Sequence, residues 1–464
     1  MKKKWVVGLL IGTMMTGMLA GCGQDKEASE TGKAESEQGT EEKKEEAEGE
    51  TEDTADGEKI TLTVWDTFTE DAMHNSSEQI NEMFMEKYPN VTIDRVSKDY
   101  ASINEALKTA FMSGDAPDVM YNEMGIGEQG SFLRAGYLMN LQEAYSEYGW
   151  DDTVMAVSKE VPAIGDYVYG VGNEIETMSF YYNKKIFDEV GLDAPGTIEE
   201  LTETMGKLKE AGYVPLANTL DSDWSNNMNF IGTIMYAYMS QEEIDACMNE
   251  DASWDMESVK KAAATIQEWL DKGYFPDHPE VDGEQRDFFL QGEGACWVTG
   301  NWSIAYVEEN ADDTMDLEII PFPGSESCSD GGSQVNFTGS GYLVNANTPN
   351  KKAALDYLDF CVNNAETAKI WSEVGVIIPP FTGEYDAEIS PELTKVKGYL
   401  SDENISNVAG INMWLGTNGF DFFSDAGQRM AIGDLTAENF TAEADAARQK
   451  DMDDKNTKAT FELE

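Results

Sequence analysis

Short strands alternate with helical segments along the chain from residue 60 onward, and this alternation limits the possible folds more than any other feature. Residues 60–66 read ITLTVWD, a strand in which apolar and polar residues alternate. Apolar residues at helical spacing follow and end at Pro89, and residues 91–93 and 118–121 form the next strands. Strands separated by helices build βαβ units, whose strands pair in parallel. We therefore predict an α/β protein with mostly parallel sheets flanked by helices.

The first 22 residues have the features of a targeting segment rather than of a folded domain. Lysines at positions 2–4 precede an apolar stretch, and the segment ends in Leu-Ala-Gly-Cys at 19–22. This ending resembles a bacterial lipobox, in which the cysteine receives a diacylglycerol and becomes the new N-terminus. We predict that residues 1–22 are a lipoprotein signal peptide and that Cys22 carries the lipid anchor, since two or more acyl chains hold a protein stably on a membrane. The alternative is an ordinary signal peptide with a coincidental cysteine.

Residues 23–59 are predicted to form a disordered acidic tether. The segment contains no aromatic and no branched aliphatic residue, so it cannot bury enough apolar surface to offset its chain entropy. An acidic interaction tail is the alternative. The whole chain carries 89 Asp and Glu against 32 Lys and Arg, a formal net charge of -57. Because nucleic acids and anionic membrane surfaces are polyanions, we expect no nucleic-acid partner and membrane contact only through the lipid anchor.

Motifs of common enzymes and cofactor sites are missing from the sequence. There is no P-loop, no GxSxG, no HExxH and no GxGxxG after a strand. The two histidines, His74 and His278, are far apart, and the cysteines after Cys22 show no CxxC spacing, so we predict no metal and no cofactor. A disulfide among these cysteines stays open: Cys247, Cys296, Cys328 and Cys361. Paired carboxylates of a glycosidase also stay open, because the many acidic residues allow many pairs.

Residues 180–201 read FYYNKKIFDEVGLDAPGTIEEL, a strand followed by a short helix, a Pro-Gly turn and a helix that begins with a capping box. This run resembles the crossing between lobes in extracellular solute-binding proteins of the family that includes maltose-binding protein. The segments at 114–119 and 292–302 are similar to further runs of that family. The matching positions of the first run are Tyr181, Tyr182, Asn183, Lys184, Phe187, Gly191, Leu192, Pro195, Thr197 and Glu200.

The resemblance implies a two-lobed periplasmic-binding-protein-like fold of class II with three hinge crossings. The first lobe would comprise residues 60–173 and 340–374, and the second lobe residues 174–339 and 375–464. The implied function is capture of a carbohydrate, an oligosaccharide in our interpretation, and its delivery to the permease subunits of an ABC importer. We expect a monomer without catalytic residues, held by Cys22 on the extracellular face of the cytoplasmic membrane, or on its periplasmic side where an outer membrane is present.

Aromatic residues stand beside short polar residues at predicted strand ends and in loops, where ligands of open α/β sheets bind. A pyranose offers an apolar C–H face to an indole and hydroxyl groups to carboxylates and amides. These residues are Trp65, Asp66, Asn122, Glu123, Asp223, Trp224, Asn301, Trp302 and Trp414, and the resemblance adds Glu176. Trp65 and Trp302 would serve about equally well as core residues. Trp224 fits a core least, because its neighbours are Asp, Ser and Asn.

Two other functions remain open on the sequence. One is a surface-anchored carbohydrate-active enzyme, and the other is a receptor or adhesin on the same fold that takes no part in transport. The identity and size of the ligand, and whether it is a sugar or another polar solute, are also open.

Overall fold

The computed structural model describes residues 58–220, 224–279, 285–328, 334–337, 339–402, 405 and 407–463. All of these residues belong to one compact unit, Thr54–Glu464. The predicted signal peptide, the predicted anchor Cys22 and nearly all of the predicted tether lie outside the described residues.

The first part of this unit alternates strands and helices as the sequence predicts. Its elements are β1 Ile60–Asp66, α1 Asp71–Lys87, β2 Val91–Ser97, α2 Tyr100–Ser113, β3 Val119–Glu123, α3 Ile126–Arg134, α4 Gln142–Glu147, α5 Trp150–Thr153, α6 Val157–Glu160, β4 Ala163–Ile164, β5 Tyr167–Val168 and β6 Val171–Gly172.

The middle part begins with the longest described strand. Its elements are β7 Glu176–Asn183, α7 Lys184–Val190, α8 Ile198–Glu210, β8 Val214–Leu216, α9 Trp224–Tyr238, α10 Gln241–Glu250, α11 Glu257–Asp271, α12 Gln285–Leu290, β9 Gly294–Gly300, α13 Ser303–Asn310, β10 Leu317–Pro321 and β11 Gln334–Phe337.

The last part returns to the first sheet and ends in helices. Its elements are β12 Ser340–Val344, α14 Lys351–Val362, α15 Ala365–Glu373, α16 Pro391–Leu400, β13 Asn407–Val408, a 3-10 helix Ile411–Met413, α17 Thr417–Ala431 and α18 Phe440–Asp453.

The first sheet has the strand order β2-β1-β3-β12-β6. Strand β1 pairs in parallel with β2 and β3, whereas β12 is antiparallel to both of its neighbours, β3 and β6. Leu62 and Val64 of β1 are at most 1% exposed and pack in one core with Phe84 of α1 and Tyr357 of α14. The alternation in β1 thus places its apolar side chains against the helices.

The second sheet has the strand order β13-β11-β7-β9-β8, and β10 also pairs with β7. Strand β7 is antiparallel to β9, β10 and β11, and all eight of its residues are buried. The sequence predicts mostly parallel sheets, but both sheets are mixed. The reason is that the two strands at the crossings, β7 and β12, run antiparallel to every strand with which they pair. The alternation of strands and helices in the sequence does not reveal these strand directions.

The chain passes between the two sheets three times. It leaves the first sheet after β6 and enters the second at β7, and it returns between β11 and β12. The third passage leads from α15, whose Trp371 packs in the first core, to α16, whose Leu393 packs near the second sheet. The first and third passages lie side by side, because Ile175 N donates to Ile378 O at 2.8 Å.

Helix α17 contacts elements on both sides of the crossings. It packs along α9, and Gly127 of α3 lies so close that an added Cβ would come within 3.0 Å of Phe420. The carboxylate of Asp451, in α18, accepts the N–H groups of Asn418 and Gly419 at 2.9 and 2.7 Å, which satisfies the amino end of α17. The C-terminal helices therefore fasten α3 to α9.

The cysteines after Cys22 are free thiols, and all four are buried: Cys247, Cys296, Cys328 and Cys361. Within the described residues, no helix combines the length and apolar character needed to cross a membrane.

Candidate functional site

Three glutamates converge where the chain crosses between the sheets. Glu123 ends β3, Glu176 begins β7, and Glu174 lies in the passage that leads to β7. The strand register places Glu123 opposite Ser340 and Glu176 opposite Phe337, so the two glutamates flank the return passage. Glu123 is 9% exposed, Glu176 is 8% exposed and Glu174 is 5% exposed. Three buried carboxyl groups therefore lie together at this place in the described fold.

Burial controls the ionisation of these carboxyls. It raises the pKa of Glu174 to about 8. Burial also raises the pKa of Glu123 well above its ordinary value, and the Glu128 and Glu174 charges add to the rise. The pKa of Glu176 rises for the same reason, with contributions from Glu174 and Glu123, although the Gly339 N–H opposes the shift. Among the described residues, no lysine or arginine forms an ion pair with Glu123 or Glu176, so no basic side chain offsets the rise of their pKa values.

Tyr100 and Ser340 close one side of this cluster. The two hydroxyl oxygens lie 2.7 Å apart. Nearby, Asn122 Nδ2 donates to Asn104 Oδ1 at 2.6 Å, and Asn122 Oδ1 accepts the Glu123 N–H at 2.9 Å. Asn104 in turn donates to the Glu128 carboxylate. Asn122 is fully buried. Its side-chain amide holds the end of β3 in place through these hydrogen bonds.

Asn301 fixes the backbone on both sides of Glu176. Its Oδ1 accepts the Thr177 N–H at 2.7 Å, and its Nδ2 donates to Ile175 O at 3.2 Å. Trp302 follows and is half-buried, and its ring lies against Gly300, where an added Cβ would come within 1.9 Å of it. Asn301 therefore positions a carboxyl of the cluster, and Trp302 covers the end of β9.

Trp65 and Asp66 end β1 in different environments. Trp65 is half-buried, and Lys98 Nζ lies 5.0 Å from its ring centroid. Asp66 is 1% exposed; its Oδ2 accepts Arg95 Nε at 2.5 Å, and its Oδ1 accepts Ser97 Oγ at 2.7 Å. Both oxygens of Asp66 are engaged within the protein, whereas Trp65 keeps a partly open surface.

The remaining predicted residues lie elsewhere in the chain. Trp414 is 5% exposed, stacks on Trp254 with ring centroids 5.6 Å apart, and donates from Nε1 to the Tyr236 hydroxyl at 3.2 Å. Little of its indole is left for a ligand. Trp224 begins α9, but its side chain lies outside the described part of the chain, as does the whole of Asp223.

A sequence model of the family described as bacterial extracellular solute-binding protein matches residues 69–368. The chain belongs to this family. It is 25% identical to the maltodextrin-binding protein MdxE of Bacillus subtilis over 395 residues, which cover 81% of this chain and 87% of that protein. It is 27% identical to the maltotriose-binding protein of Pyrococcus abyssi over 306 residues, 63% of this chain and 60% of that protein.

Solved structures agree with the fold of this solute-binding protein. One, from work on xylan utilization by the thermophilic bacterium Caldanaerobius polysaccharolyticus, has a TM-score of 0.75 at 20% identity and covers 83% of this chain and 99% of its own. A chitin oligosaccharide binding protein has a TM-score of 0.75 at 18% identity, with 85% and 99% covered. The two-lobed α/β fold with three crossings is therefore established for this family member.

Sequence reasoning missed three residues of this solute-binding protein's crossing region. Glu174 is separated from Glu176 by one residue, but acidic residues are so frequent in this chain that the pair carries no signal. Tyr100 begins α2 and gives no motif. Asn412 is 1% exposed, and neither of its amide atoms has a hydrogen-bond partner in the described structure. The backbone carbonyl oxygen of Asn412 would lie 2.3 Å from a Cβ added to Gly125, which is two residues after Glu123.

Proposed function

We propose that this chain is a lipid-anchored binding protein that captures a carbohydrate of oligosaccharide size and delivers it to an ABC importer. The observation that carries the proposal is the family match over residues 69–368, together with a buried cluster of acceptor groups at the crossings of the same fold. The maltodextrin and maltotriose relatives support a saccharide as the ligand. Hydroxyl groups of a sugar donate hydrogen bonds, which the carboxyls of Glu123, Glu174 and Glu176 accept.

We place the ligand between the lobes, with residues 60–173 and 340–374 on one side and residues 174–339 and 375–464 on the other. Glu123 approaches from the first sheet and Glu176 from the second, so a ligand that bonds both stabilises the closed arrangement. Closure is then a shift of population toward the state in which both lobes contact the ligand. In this proposal Trp65, Asn122, Asn301 and Trp302 line or position the site, and Trp224, the first residue of α9, stays a candidate ligand contact.

Transport without chemical change is part of the proposal. The relatives that match most of the chain are binding proteins, and the crossing carboxyls serve as hydrogen-bond acceptors rather than as an acid and a nucleophile. We further propose that the protein acts as a monomer, anchored through Cys22 on the outer face of the cytoplasmic membrane.

A saccharide panel tests this function directly. The soluble protein, without residues 1–22, is screened by thermal shift against maltodextrins, xylo-oligosaccharides and chitin oligosaccharides, because a bound ligand raises the melting temperature by mass action. Hits are titrated by calorimetry, and the saccharide is recovered and analysed by mass spectrometry. We expect binding with the saccharide unchanged. Shortened products would indicate an enzyme, and a flat panel would argue against a carbohydrate ligand.

A further inference from the structure

Tyr100 combines a partly exposed surface with an anchored hydroxyl. The residue keeps 42% of its surface exposed, yet its hydroxyl oxygen lies 2.7 Å from Ser340 Oγ at the return passage. Burial, followed by the Glu123 and Glu176 carboxyls, raises the pKa of this hydroxyl above its ordinary value. The hydroxyl end therefore reaches the carboxyl cluster, and the residue keeps open surface beside the cluster.

Both ends of this side chain are held. Tyr100 is the first residue of α2, and the preceding residue, Asp99, caps the helix by accepting the Ser102 N–H at 2.9 Å. One turn further on, Ile103 and Leu107 are at most 1% exposed and anchor α2 in the core. With the backbone fixed by α2 and the hydroxyl fixed by Ser340, the ring loses little freedom when something packs on it.

Other exposed apolar side chains lack this arrangement. The large apolar residues exposed in the described chain are Val96, Tyr100, Met112 and Ile432. Met112 lies at the opposite end of α2 and is 83% exposed, so it is an ordinary surface residue. Val96 pairs with Trp65 across β1 and β2, which extends apolar surface at the same edge of the first sheet.

We propose that Tyr100 is the stacking platform of the ligand site and that its ring takes the apolar C–H face of a pyranose. The inference rests on the proposed function and adds to it a residue that neither the sequence patterns nor the family match assigns. A sugar ring stacked on Tyr100 places its hydroxyls toward the neighbouring carboxyls of Glu123 and Glu176. Aromatic stacking and carboxyl acceptors on one ligand are the combination that binds a pyranose.

The test compares Tyr100→Phe, Tyr100→Leu and Tyr100→Trp in the soluble protein, with the saccharide found by the panel. Phe keeps the ring and loses the bond to Ser340, so we expect the dissociation constant to rise less than about fivefold. Leu keeps apolar bulk without a ring face, and we expect it to weaken binding roughly 10- to 100-fold. The Trp variant should retain binding, and its fluorescence, relative to the unsubstituted protein, should change when saccharide is added.

Tyr213 provides the matched control. It is a half-buried tyrosine whose hydroxyl donates to Glu189 at 2.9 Å, and it lies between α8 and β8, away from the crossings. Tyr213→Leu should leave the dissociation constant unchanged. If the unsubstituted protein binds a saccharide but Tyr100→Leu binds it equally well, the platform is refuted while the proposed function stands. The platform would also be refuted if the Phe and Leu variants lost affinity equally. The same holds if the fluorescence of the Trp variant did not change when saccharide is added. Should Leu fail to fold, the Phe and Trp variants decide.

Discussion

Glu174 is a buried carboxyl whose charge acts on both neighbouring glutamates of the crossing region. Its folded-state pKa is raised to about 8 by burial, and its charge raises the pKa of Glu123 and of Glu176. Between the ordinary glutamic acid pKa and this raised value, the folded protein binds more protons than the unfolded chain. Stability from this group is therefore complete at acidic pH and is lost as the pH rises toward 8.

Glu174→Gln should accordingly flatten the pH dependence of stability. The free energy of unfolding of the unsubstituted protein should fall with rising pH by up to about 1.4 kcal/mol per unit for this group, and the variant should lack that decline. The measurement is urea unfolding at pH 5, 7 and 9. The control is Glu143→Gln, which changes an exposed glutamate of α4. A variant that loses stability with pH as steeply as its parent would contradict the assignment.

At the level of elements, the sequence predicts strands and helices well where their causes are local. Strand β1 has the predicted bounds, the short helix α7 follows β7 as predicted, and Thr197 caps α8 by accepting the Glu200 N–H at 3.1 Å. Strand directions and burial are not local. Asp66 turns inward because Arg95 on β2 meets it, and Trp414 is covered by Trp254, which comes from a loop far away in the chain. The sequence around Asp66 or Trp414 does not show which distant residue will contact it, so these partners could not be predicted.

Strand β12 depends on a glycine for its place at the crossing. A Cβ on Gly341 would come within 2.3 Å of Val171 O and 2.8 Å of the Gly172 Cα, so β6 and β12 could not pair as they do. We expect Gly341→Ala to lower the free energy of unfolding by about 1–3 kcal/mol, the usual cost of overpacking, and to weaken saccharide binding.

Gly398 is the matched control for that change. It lies inside α16 with no atom within 4 Å of an added Cβ, and alanine is the better helix former there. Gly398→Ala should raise the free energy of unfolding by about 0.5–1 kcal/mol in urea titrations and leave binding alone. If both alanine variants behave alike, the close approach of β6 and β12 does not constrain the crossing.

On the scale of the whole molecule, the proposed lipid anchor at Cys22 determines where we expect the protein to work. Cys22→Ser removes the only thiol of the predicted lipobox and should leave the protein unprocessed or release it into the medium, because no acyl chain can then be attached. Fractionation of cells and mass spectrometry of the N-terminus measure this. Cys247→Ser, which changes a buried free thiol, is the control and should remain in the membrane fraction. Lipid on the Cys22→Ser protein would contradict the anchor.

An ion pair between Arg286 and Glu70 joins the two halves of the fold. Arg286 Nη1, on the helix that precedes β9, lies 2.6 Å from Glu70 Oε1, just after β1, and both side chains are partly exposed. Glu70 lies next to the first sheet and Arg286 next to the second, so we expect the pair to form only when the lobes are close and to favour the arrangement that we propose holds the ligand. An exposed pair is worth about 0–1 kcal/mol, which limits its effect on the dissociation constant to roughly fivefold.

Reversing the charges measures that contribution. Arg286→Glu places two carboxylates together and should weaken saccharide binding, most clearly at low salt, where charges are least screened. Adding Glu70→Arg to this variant should restore affinity, because the pair is re-formed with its charges exchanged. Lys272→Glu, which breaks a pair with Glu268 at the carboxyl end of α11, should leave the dissociation constant unchanged in the same calorimetric titrations. A double variant as weak as Arg286→Glu alone would mean that the ion pair takes no part in closure.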